Sequence, residues 1–177
     1  MKNYNSGDKI LDVGCGEGLF LLTAAKEFPD SKFVGVDSWN KILEYTKQKL
    51  ILEDIKNVEL KFLDGKSLPF EDGSFQHVFF LNAVYNQKSI EDVGAVIKEM
   101  MRVCSRGGKV YFDIRNNNNV IFRIVYKFLL IFDSTKPIIR LHNKKIINEI
   151  LSNMNCSEFE YFPIDIFRTA YLVEVTK

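Results

Sequence analysis

Three cysteines, at positions 15, 104 and 156, are too scattered in 177 residues, and odd in number, for either a disulfide framework or a zinc-ligand pattern. No metal site is expected, and a reducing cytoplasm is the simplest compartment. An excess of charge of either sign is also missing. The 24 basic and 23 acidic residues leave a formal charge of +1, so no global field draws the chain to a polyanion. Aromatic and basic residues form no recognised RNA-binding motif either, and nucleic acid is not an expected partner. Long apolar runs are absent too. The most apolar stretch, Val120 to Phe132, carries Arg123 and Lys127, whereas a membrane-spanning helix needs about 20 apolar residues. Met1 to Asp8 is polar and lacks the apolar segment of a secretory leader.

What remains is 46% hydrophobic and 27% charged, close to the average for a globular chain, at a length suited to one domain over residues 1–177. Apolar runs at Lys9–Val13, Lys32–Val36, Val58–Leu63, Phe75–Leu81 and Lys109–Ile114 read as five strands. Between them, Leu19–Phe28, stopped by Pro29, Trp39–Ile55 and Ile90–Cys104 read as helices, with Lys66–Gly73 as a loop. Arg106-Gly107-Gly108 is read as the cap of the third helix and the start of the fifth strand. A helix over Asn143–Met154 and two consecutive strands, Cys156–Phe162 and Thr169–Thr176, complete the chain. Strand and helix in alternation predict a parallel sheet covered on both faces, and two adjacent strands predict an antiparallel hairpin at its edge.

Asp12-Val13-Gly14-Cys15-Gly16-Glu17-Gly18 lies on the first strand-to-helix turn, where open α/β sheets bind ligands. Glycine permits a tight path and a close approach by a ligand, although the same residues would serve a plain turn. The dinucleotide fingerprint would need glycine at position 19, which is leucine, and the Walker lysine is absent. Asp37 ends the second strand 21 positions after Gly16, an offset at which a carboxylate reaches ribose hydroxyls; a helix N-cap is the alternative. Asp64-Gly65 closes the third strand and is also an ordinary turn pair.

From Ile10 to Gly18 the chain resembles the class I S-adenosylmethionine-dependent methyltransferases. The resemblance extends through Leu68-Pro69-Phe70, Asp72-Gly73-Ser74-Phe75 and Arg106-Gly107-Gly108-Lys109, and covers residues 9–114. It implies a Rossmann-like α/β three-layer sandwich with a mostly parallel seven-stranded sheet and an antiparallel C-terminal hairpin. It also implies S-adenosyl-L-methionine as cofactor: Gly14, Cys15, Gly16 and Gly18 wrap the methionine moiety, Asp12 orders the turn or its ligand, and Asp37 takes the ribose. Ser38 and Trp39 border the adenine, Asp64 with Gly65 accepts from its amino group, and Asn82 reaches the cofactor near the methyl. The family's N-terminal covering helices have no counterpart in the nine residues before Ile10, so a truncated or minimal domain with an open site is expected.

Tyr85 and Arg115 fall near the edge where a methyl acceptor would sit, and His142 is more distant. His77 opens a buried strand and reads as a structural histidine. No catalytic base is named. Arg115 to Lys145 carries seven basic residues (Arg115, Arg123, Lys127, Lys136, Arg140, Lys144, Lys145) against Asp133 alone. This insertion reads either as a core helix with a solvated stripe or as a lid that binds an anionic or amphiphilic small-molecule acceptor, such as a phosphorylated sugar or lipid-linked intermediate, or that rests on a membrane surface as a peripheral contact. Methyl transfer to such an acceptor is the expected function. The alternative is an inactive cofactor-binding regulatory or partner domain.

Overall fold

The computed structural model describes residues 6–116, 118–120, 123–124 and 144–177. Its elements run β1 (Lys9–Val13), α1 (Leu19–Glu27), β2 (Lys32–Asp37), α2 (Asn40–Leu52), β3 (Val58–Phe62), β4 (Phe75–Phe80), α3 (Ile90–Val103), β5 (Cys104–Arg115), α4 (Lys144–Asn153), β6 (Phe159–Pro163) and β7 (Ala170–Thr176), with a 3-10 turn at Val84–Asn86. The seven strands are ordered β3-β2-β1-β4-β5-β7-β6. The first five are parallel, and β7 inserts antiparallel between β5 and β6, with Arg115 opposite Ala170. The α/β sandwich read from the sequence is therefore the fold observed.

Burial explains why β1 is central. Ile10 and Leu11 point to opposite faces and are both fully buried, so each face is covered by helices. On one face Ile10, Phe33 and Phe79 pack with Leu21 of α1 and Leu43 of α2. On the other, Leu11, Val78 and Phe112 pack with Val93 and Ile97 of α3 and Ile147 and Leu151 of α4. α3 buries the stripe Val93, Val96, Ile97, Met100 and Val103, and starts where the Ser89 side chain accepts the Asp92 N–H at 3.1 Å.

One reading is corrected. Gly107 and Gly108 do not cap α3, which ends at Val103 and passes directly into β5. They lie within that strand, where the register against β4 slips between Phe75 opposite Cys104 and His77 opposite Lys109. Gly107 takes φ +73° there, and a Cβ on Gly108 would stand 2.6 Å from the Gln76 carbonyl oxygen. The glycines serve a bulge across a neighbouring backbone, which has no periodic signature in the sequence.

Strand order reverses between β1 and β4. Their carboxyl ends diverge there, leaving a crevice floored by the β1–α1 turn.

Candidate functional site

The crevice holds a cleft of about 820 Å³. Asp12, Gly14, Cys15, Gly16, Asp37, Ser38, Asp64, Gly65 and Asn82 all line it. Two other predicted residues stand apart. Gly18 caps the start of α1 beneath the cleft, and Trp39 is solvent-exposed just before α2.

The floor is built by partners distant in sequence. Gly14, Gly16 and Gly18 all adopt positive φ, at 66°, 50° and 71°. Gly16 N–H donates to Asp37 Oδ2 at 2.9 Å, and the Gly16 carbonyl accepts from Thr46 Oγ1 at 2.7 Å. The second Asp37 oxygen accepts the Trp39 N–H at 2.9 Å. Asp37 thus bridges the glycine turn to the start of α2, and each carboxylate oxygen retains a lone pair for a ligand. Thr46 carried no signal in the sequence, because its role exists only where α2 packs on the turn.

The turn's glycines have separable roles. A Cβ on Gly16 would meet nothing within 4 Å, whereas one on Gly18 would stand 2.4 Å from Thr46 Cγ2. Gly16→Ala is expected to cost about 1–2 kcal/mol for a side chain at positive φ, and to weaken ligand binding by placing a methyl in the cleft. Gly18→Ala is expected to lower the melting temperature more and to act on affinity only through loosening of the turn. Thermal denaturation and ligand titration on the two variants check this, and equal effects in both assays would refute it.

Asp12 is almost fully buried yet reaches the cleft, and its carboxyl takes no hydrogen bond among the described residues. Burial, and secondarily the charge of Asp37, pushes its pKa up to about 8. A buried acid without a partner is a site for a cationic group, which would restore its ionised form. The neighbouring Cys15 thiol is also pushed up by burial, so it is a wall rather than a nucleophile.

Asp64 Oδ1 accepts the Lys66 N–H at 3.0 Å, and the Lys66 ammonium lies 3.6 Å from Asp64 Oδ2 and 3.2 Å from Asp92 Oδ1. Asp64 therefore serves its own turn while still bordering the cleft. Lys66 and Asp92 carry no signal in the sequence, and their pairing depends on the loop after β3 reaching the start of α3. The apolar walls from Phe20, Leu63, Phe80 and Val96 were likewise legible only as core.

At the β4 end, Asn82 adopts φ 54° and its N–H donates to Asp113 Oδ1. Arg115 Nη2 donates to Asn82 Oδ1 at 2.6 Å, lies 3.6 Å from Asp113 Oδ2, and its guanidinium sits 5.4 Å from the Tyr85 ring centroid. A guanidinium only donates, so the Asn82 oxygen faces Arg115 and its amino group is directed elsewhere. Tyr85 and Arg115 are brought together, behind the cleft lining rather than in it. His77 is buried outside the cleft with Nε2 3.3 Å from Asp8 Oδ2; burial lowers its pKa although Asp8 opposes the shift. His142 lies outside the described residues, as does most of the 115–145 insertion.

Comparison with known proteins matches this arrangement. The family described as "Methyltransferase domain" matches residues 10–108, more than half of the chain. A demethylmenaquinone methyltransferase of Staphylococcus saprophyticus is 31% identical over 138 residues, covering 77% of this chain and 56% of the relative. One from Bacillus cereus is 36% identical over 105 residues, covering 59% of this chain and 43% of the relative. The chain thus spans about half the length of these relatives. A solved S-adenosylmethionine-dependent methyltransferase of Methanosarcina mazei superposes with TM-score 0.78 at 18% identity, covering 98% of this chain and 94% of the other. Magnesium protoporphyrin IX methyltransferase of Synechocystis, solved with bound SAH, gives 0.71 at 18%, covering 97% and 74%. At such identities these structures speak for the fold. With the family match across the glycine turn, the first four parallel strands and the start of β5, the chain belongs to the class I S-adenosylmethionine-dependent methyltransferases.

Proposed function

We propose that this chain transfers a methyl group from S-adenosylmethionine to a small-molecule acceptor bound at the carboxyl edge of β4 and β5. The observation that carries the reading is the pair of carboxylates flanking the glycine turn: Asp12, buried and without a hydrogen-bond partner among the described residues, and Asp37, at the end of the next strand. The donor supplies a methyl on a sulfonium, an activated carbon that needs an aligned nucleophile more than a strong acid or base. Asp12 fits the ammonium of its amino-acid end, and the open space at Gly16 admits the ligand against the main chain. Asp37 has lone pairs for the ribose hydroxyls, and Asp64 accepts from the adenine amino group beside Ser38 and Gly65. Cys15 walls the cleft, and Gly18 holds the helix start that supports it. Asn82 faces the region between donor and acceptor.

The acceptor we infer is amphiphilic. Two relatives are named for demethylmenaquinone, which makes that compound the first to assay. Purified protein given methyl-labelled S-adenosylmethionine is expected to label a solvent-extractable product from demethylmenaquinone or a cell extract. Failure to bind S-adenosylmethionine or its demethylated product by calorimetry would overturn the cofactor reading. Binding without transfer to any extract component would favour an inactive regulatory domain.

A further inference from the structure

Beyond Arg115 the chain meets the β6–β7 turn on the same sheet edge as the cofactor cleft, because β7 runs antiparallel to β5 with Ala170 opposite Arg115. Within that turn Ile164, Ile166 and Phe167 are 54%, 89% and 67% exposed, and nearby Val120 and Ile124 are 62% and 61% exposed. Five large apolar side chains thus face water at one edge.

Their exposure is held by built structure. Asp165 accepts the Thr169 N–H at 3.2 Å and the Thr169 hydroxyl, and the Arg168 N–H closes the turn on the Asp165 carbonyl at 3.0 Å. Asn119 Nδ2 donates to the Phe167 carbonyl at 2.6 Å and Asn116 Nδ2 to the Arg168 carbonyl at 2.8 Å. These bonds tie the Val120 segment to the turn. The acid in the turn is consumed by Thr169, whereas Arg123 and Arg168 are exposed and have no acid within ion-pair distance among the described residues. Lys144 adds a third cation close to Arg168.

An apolar tip flanked by two arginines with no acidic partner among the described residues has the chemistry of a bilayer interface: hydrocarbon accepts the apolar side chains, and lipid phosphates accept the guanidinium donors. We propose that the β6–β7 turn, with Val120, Arg123 and Ile124 beside it, forms a docking edge for an anionic membrane surface, which places the cofactor cleft beside the interface where an amphiphilic acceptor resides. Charge complementarity favours this partner over a second copy of the chain, whose contact would bring these cations against one another. The proposal rests on the amphiphilic acceptor reading for its purpose, but the docking is tested without it.

Sedimentation with vesicles of phosphatidylcholine alone, or of equal parts phosphatidylcholine and phosphatidylglycerol, provides the test, alongside calorimetric titration with S-adenosylmethionine. The wild-type chain is expected to sediment with the anionic vesicles at low salt and far less with the neutral ones. Ile166→Asp with Phe167→Asp should reduce the vesicle partition constant by about tenfold or more, and Arg168→Gln should reduce it severalfold and flatten its salt dependence. Both variants should bind S-adenosylmethionine as wild type does, so loss of cofactor binding would mark failure of the methyltransferase reading instead. Three results would overturn the docking edge: no binding of wild type to anionic vesicles, equal binding by the double variant, or a lower melting temperature of that variant without lipid, which would mean that the chain itself covers the tip. Self-association of the wild type that the double variant abolishes, without vesicle binding, would reassign the edge to a second copy.

Discussion

Asp12→Asn is expected to stabilise the ligand-free protein and to cripple its cofactor binding. With its pKa at about 8, the Asp12 carboxyl stays protonated in the folded chain at pH values where an unfolded chain has released the proton. The folded state then binds more protons than the unfolded one, so stability falls as pH rises from near 4 to about 8, and is level above that. Asparagine mimics the neutral acid and has no such loss. The variant should match wild type near pH 4 and exceed it by on the order of 5 kcal/mol at pH 8, roughly 10–20 °C for a chain of this size. Melting curves at the two pH values check this, and an equal difference at both would show that Asp12 is ionised throughout.

In the proposed site the same substitution removes the charge offered to the ligand's ammonium. A charged hydrogen bond is worth about 1.5–3 kcal/mol, so affinity for S-adenosylmethionine should fall roughly 10- to 150-fold. Binding to wild type below pH 8 should release a proton, seen by calorimetry in buffers of different ionisation enthalpy, and the variant should release none. Unchanged affinity and proton release would remove Asp12 from the site. A residue that destabilises the empty fold and is relieved by its ligand is typical of binding sites.

Asp37→Asn is expected to have the next largest effect on binding. The two oxygens of Asp37 accept separate N–H groups, from Gly16 and Trp39, each at 2.9 Å. Asparagine keeps one acceptor and turns a donor toward the other N–H, so one end of the bridge is lost. Affinity should drop about 10- to 150-fold through the combined loss of the proposed ribose contact and of turn order. Hydrogen exchange at the Gly16 amide should accelerate in the ligand-free variant. Because Asp37 contributes to the raised pKa of Asp12, the stability profile set by Asp12 should also shift to lower pH. An affinity and an exchange rate both equal to wild type would sink the assignment.

Much of the fold was legible because local sequence and fold agree. The buried stripe of α3 repeats at helical spacing, and β4 is an apolar run because both its faces are covered. The disagreement at Gly107 and Gly108 shows the limit: a turn signal read locally belongs to a bulge defined by the neighbouring strand. Boundaries moved for a related reason. α2 ends at Leu52 rather than Ile55, where Asp54 at φ 51° turns the chain toward β3.

The sequence by itself determined the glycine turn, since three positive-φ positions in five residues strongly favour glycine, and it determined the acids at successive strand ends. Only the tertiary structure decided what those acids do. Asp12 becomes a weak acid because the assembled fold buries it and the pairing of β2 with β1 brings Asp37 near, Asp37 is half committed to Gly16, and Asp64 is neutralised in part by Lys66. Asn82 is fixed by Asp113 and Arg115 from β5. Proton affinity and hydrogen-bond commitment depend on burial and on distance between residues far apart in the chain, and both exist only after the sheet has assembled.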